Sequence, residues 1–103
     1  MSILTHKQTF NKRHGQPKTE GNSKKEVSKI SGIPYNVLDS VVKRGEAAFY
    51  TNKKSVRPQV KSATQWGYSR MYAFVNKLED PKKKLNHDID LCKKTKYKGK
   101  CSM

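Results

Sequence analysis

Arg44, Arg57 and Arg70 are the side chains of this sequence best suited to selective chemistry. Each offers a planar fork that a carboxylate or phosphate can accept at two points, which lysine cannot do. They are the only arginines between residues 28 and 91, a stretch that otherwise takes its positive charge from lysine. Two uses are open to them. They clamp an anion across two helices and the loop between, or they are consumed inside the fold by helix carbonyls and by Asp39, Glu46 and Asp88. A second set is purely electrostatic: Lys82, Lys83 and Lys84, then Lys93, Lys94, Lys96, Lys98 and Lys100. Such runs attract phosphates without reading sequence, and Tyr97 among them offers a ring on which a base can stack. The plainer alternatives are a solvated tail, an import-type patch, or a strand lying in an acidic groove between larger subunits.

Other chemistry is poorly supported. Cys92 and Cys101 are either free thiols or a disulfide closing the lysine-rich end. Synthesis inside a cell favours thiols, and assembly into an oxidised particle favours the bridge. Zinc is the weakest reading, because no tight cysteine pair exists and His6 and His14 lie far from His87. In His87-Asp88-Ile89-Asp90 the two acids do not share a helical face, so a helix start capped by Asp88 or Asn86 is expected. There is no glycine-rich phosphate loop, no Ser-His-Asp arrangement and no paired-acid motif. Neither an enzyme nor a bound cofactor is expected.

Whatever positions these groups must be small. The chain has 103 residues, a net charge of +15 and 33% hydrophobic residues, which limits it to one modest core. Charge this high seeks a polyanion: nucleic acid, an anionic lipid surface or an acidic protein face. No apolar run approaches the roughly 20 residues of a membrane span, and the first residues carry no apolar leader.

Residues 1–27 read as an extended basic arm, with Phe10 its only aromatic and too little apolar surface to offset chain entropy. Residues 28–91 read as a helical domain, and 92–103 as a lysine-rich tail. In the domain, Ser31 or Gly32 can cap a helix with Pro34 near its start, and Val37, Leu38, Val41 and Val42 form one face. Gly45 is either that helix's end or a point of close packing. A loop from Thr51 to Lys61 follows. Ser62 and Gln65 then begin a second helix whose stripe is Gly67, Met71, Phe74, Val75 and Leu78. A short third helix is expected from His87 to Cys92. Leu38, Val42, Trp66 and Phe74 are the expected core. The fold class is therefore mainly α: a small two- to three-helix domain with extended basic N- and C-terminal arms.

One resemblance adds to this. The order Ser31-Gly32-Ile33-Pro34, Val37-Leu38, Arg44-Gly45, Ala47-Ala48-Phe49, Val56-Arg57-Pro58, Gln65-Trp66, Arg70, Tyr72 and Phe74, then His87-Asp88-Ile89-Asp90-Leu91, resembles an uncharacterised small domain. That domain occurs in proteins of large DNA viruses and tailed phages. The resemblance covers about residues 28–91, leaves both arms outside, and implies a viral protein without enzymatic activity. Gln59 follows the Arg-Pro where the pattern leads one to expect glycine, and Phe49 stands where tryptophan is expected.

Two functions then compete. The first is a virion structural protein: a minor capsid or core component that bridges or cements larger proteins through their acidic surfaces. It would be made in the host cytoplasm and sit on the capsid's inner face, against protein or an anionic inner membrane. The second is a non-sequence-specific nucleic-acid-binding virion protein that neutralises packaged DNA. Charge favours the second; a short aromatic core between two arms favours the first, and the structural role is the expected function, with nucleic-acid binding the alternative.

Overall fold

The computed structural model describes residues 5–17, 20–51, 62–80, 85, 88–97 and 101. Five helices appear among them: α1 (His6–Arg13), α2 (Lys24–Ser31), α3 (Tyr35–Thr51), α4 (Ala63–Glu79) and α5 (Ile89–Cys92). The architecture is mainly helical, with no strand among the described residues.

The α3–α4 pair is the frame. Val37, Leu38, Val41 and Val42 are buried on α3, and Gly67, Met71, Phe74, Val75 and Leu78 on α4, so both apolar stripes do what their spacing predicts. The helices run antiparallel and touch backbone to backbone at Gly45 and Gly67. A Cβ added at Gly45 would come within 2.7 Å of Gly67 Cα, and one added at Gly67 within 2.6 Å of the Val42 carbonyl oxygen. Gly45 is thus a close-packing point in mid-helix, and α3 continues past it to Thr51. Ser62 caps α4, its hydroxyl accepting from the Gln65 N–H at 3.0 Å.

The expected N-terminal arm is overturned. Residues 6–13 and 24–31 are helical, each opened by a complete capping box: Thr5 with Gln8, and Ser23 with Glu26. Phe10 is fully buried against Tyr72 of α4, with ring centroids 5.4 Å apart, and Val27 of α2 is fully buried as well. Polar side chains tie α1 down further. Asn76 Nδ2 donates to the His6 carbonyl at 2.8 Å, and Asn22 Nδ2 to Asn11 Oδ1 at 2.9 Å. One aromatic in the right place is enough to dock an otherwise polar segment.

Three smaller expectations change. Gly32 does not open α3 but ends α2, at φ 77° in the left-handed region that glycine adopts without strain. The third helix is shorter than expected, beginning at Ile89. Trp66 is half-buried and stands outside the apolar cluster. It falls on the flank of α4 shared with Arg70, Ala73 and Lys77, one helical step from the stripe that begins at Gly67. The other three expected core residues, Leu38, Val42 and Phe74, are buried.

Cys101 is also tied back. Cys92 and Cys101 form a disulfide, and both are buried with Thr95. Tyr97 packs against the core rather than standing free as a stacking ring. Among the described residues, no helix is long and apolar enough to cross a membrane.

Candidate functional site

Arg44 lies one residue before the Gly45 crossing and Arg70 three residues beyond Gly67, so the tight approach of α3 and α4 sets the two forks side by side. Between them stands Asp88, immediately before α5. Arg70 Nε donates to Asp88 Oδ2 at 3.0 Å and its Nη2 to Oδ1 at 2.8 Å. Arg44 Nη1 donates to the same Oδ1 at 3.0 Å. Arg44 then reaches Asp90 bidentately, Nη1 to Oδ1 at 2.8 Å and Nη2 to Oδ2 at 2.6 Å. The result is a staple joining three helices through one carboxylate whose side chain is only 2% exposed.

The backbone confirms the demand on that residue. Asp88 sits at φ 58°, and its side chain makes no cap to α5. Asp88 does not cap with its side chain because both carboxylate oxygens are committed to guanidiniums, bonds stronger than a neutral amide can offer, and Asn86, the other expected cap, lies outside the described residues. Burial is the largest single influence on Asp88 and pushes its carboxyl upward, yet Arg70 and Arg44 together hold it below the usual range. The Arg44 fork holds Asp90 down at about 2, and in return Asp90 and then Asp88 raise Arg44.

Of the three arginines that could have clamped an outside anion, Arg44 and Arg70 are therefore used internally, and Arg57 lies outside the described residues. Other acids are likewise matched. Asp39 takes Lys24 at 2.6 Å and Lys43 at 3.0 Å, which lowers its carboxyl and raises Lys24. Glu79 contacts His14 Nε2 at 2.9 Å, while Arg13 donates to the Glu79 carbonyl at 3.1 Å, at the negative end of α4.

What remains outward is lysine. Lys93, Lys94 and Lys96 are exposed on the turn after α5, and Lys25 and Lys29 on α2. The last two were not singled out by sequence, although their spacing of four within a helix places them on one side. Lys82, Lys83, Lys84, Lys98 and Lys100 lie outside the described residues. Among the described residues, no group of three or more His, Cys, Asp or Glu side chains is placed to hold a metal ion.

A family model matches residues 2–92, and its description is a family of unknown function, DUF5824. The match takes in α1 and the first half of α2, which the sequence resemblance left outside. Neither the curated proteins nor the solved structures contain a match.

Proposed function

We propose, for a chain that belongs to the DUF5824 family of unknown function, non-enzymatic binding of a polyanion, with nucleic acid as the polyanion. One observation carries the reading: among the described residues every arginine engages an acidic side chain, while most lysines are left to face solvent. Arg13, Arg44 and Arg70 all engage acidic side chains, as do Lys24 and Lys43. The net charge of +15 thus resides mainly on lysines. Lysine presents a compact, hydrated charge that holds a phosphate chain without demanding a fixed geometry. Neutralising packaged nucleic acid inside a viral particle is the role that fits a small protein of this charge.

The order of the two expected functions changes because the bridging role leaned on two free arms, and the N-terminal one is folded against α4. The bridging role keeps one specific support. Tyr50 is 67% exposed near the end of α3, edge-on to Phe49 at 5.5 Å, an apolar projection suited to a protein neighbour. In that second reading the chain cements larger capsid proteins on the inner face of a virion.

The deciding experiment is binding of the purified chain to a short mixed-sequence single strand and to its duplex across a salt series. Binding that weakens steeply with salt yet persists at physiological ionic strength supports nucleic-acid neutralisation. Binding that vanishes there refutes it. Association with purified particles that is lost in Tyr50→Ser would then support the cementing role.

A further inference from the structure

Five exposed lysines lie on α2 and on the turn 93–97. Lys25 and Lys29 share a side of α2. At the C-terminus of that helix the Lys96 side chain lies over Gly32, so that a Cβ added there would meet Lys96 Nζ at 2.8 Å. This contact puts the Lys96 side chain at the C-terminal end of α2, and Lys93 and Lys94 are exposed on the same turn. The turn is held in place by buried Thr95 and by the disulfide at Cys92. The nearest acid in sequence, Glu26, is directed to its own helix start, its Oε1 accepting from the Ser23 N–H at 3.0 Å.

An exposed aromatic ring follows α2 at the start of α3. Tyr35, the first residue of α3, is 42% exposed, and Lys24 Nζ at the start of α2 lies 5.7 Å from its ring centroid. An exposed ring with lysines on the neighbouring helix suits a strand whose bases can turn outward and stack. Duplex bases, already stacked on one another, gain nothing from it.

We infer that α2 and the turn 93–97 form one docking face for single-stranded nucleic acid, with Lys25, Lys29, Lys93, Lys94 and Lys96 on the phosphates and Tyr35 under a base. The inference rests on the function proposed above and adds the location and the form of the ligand.

The test uses the full chain, a fluorescent mixed-sequence DNA strand and the same strand as duplex. Lys25→Gln with Lys29→Gln, and separately Lys93→Gln with Lys94→Gln, each remove two phosphate contacts. Each pair should make the log–log salt slope shallower by about 1.4 and weaken binding about 25-fold near 0.1 M salt. Lys7→Gln with Lys12→Gln, on α1, should leave the slope unchanged. Tyr35→Leu should cut the preference for single strand over duplex by about tenfold. Far-UV circular dichroism verifies that each variant keeps its helices. The face is refuted if the α1 pair weakens binding as much as the other two, or if duplex binds more tightly than single strand. If the unaltered chain binds neither form, the proposed function itself fails, and the inference fails with it.

Discussion

Substituting Gly67 by alanine should weaken this protein even though it improves the helix. Propensity alone would stabilise α4 by about 1 kcal/mol, since glycine is the poorest ordinary residue in a helix interior. The crossing opposes that gain. The new methyl would sit 2.6 Å from the Val42 carbonyl oxygen, 3.0 Å from Val42 Cγ1 and 3.1 Å from Glu46 Cγ. Glu46 can swing aside; the Val42 carbonyl is part of α3 and cannot move without the helix. Overpacking at such a point costs about 1–3 kcal/mol, and a backbone obstacle belongs at the upper end. The net loss should be about 1–2 kcal/mol, or a fall in Tm of roughly 5–15 °C for a domain of this size. Thermal and urea unfolding of Gly67→Ala would measure it beside Gly21→Ala, where nothing lies within 4 Å of the added atom. The control should match or slightly exceed the parent. A Gly67→Ala protein as stable as the control would refute the contact between α3 and α4 on which the staple depends.

Other expectations follow from the same frame. Asp88→Asn should cost about 3–5 kcal/mol in urea unfolding, because it leaves two guanidiniums facing a buried neutral group. Asp90→Asn, at a side chain 64% exposed and screened by solvent, should cost much less than Asp88→Asn. Both carboxyls are held below their ordinary range, so their contribution is complete above about pH 4 and fades as the pH falls through their folded values, about 2 for Asp90. Tm measured from pH 5 to 2 should therefore drop, and less steeply in Asp88→Asn. Phe10→Ala should cost about 3–5 kcal/mol, the price of a fully buried ring, while Trp66→Ala should cost clearly less. Equal losses at the two positions would mean that α1 is not docked.

The helical frame was legible wherever apolar residues recur at helical spacing, as at Val37 to Val42 and Met71 to Leu78. The N-terminal helices were not, because their single large anchor, Phe10, gives no period. Their capping boxes were nonetheless present in the sequence, with Gln8 three residues after Thr5 and Glu26 three after Ser23. Trp66 is expected in the core, but its helical phase places it a step off the buried stripe. The arginines illustrate a different limit. Their residue type predicts that they will meet something anionic, but only the fold decides whether that anion is Asp88 or a ligand. The Lys96 side chain meets Gly32 only because the turn 93–97 returns toward α2, and nothing local in the sequence encodes that return.

The bridge between Cys92 and Cys101 also changes what cleavage does to this protein. Unstructured ends rich in lysine are ordinarily the first pieces a trypsin-like protease trims away. Here Lys93, Lys94, Lys96, Lys98 and Lys100 all lie inside the covalent ring, so a single cut at any of them adds one water and releases nothing. The nicked molecule keeps every positive charge it had, and only reduction would separate its two parts.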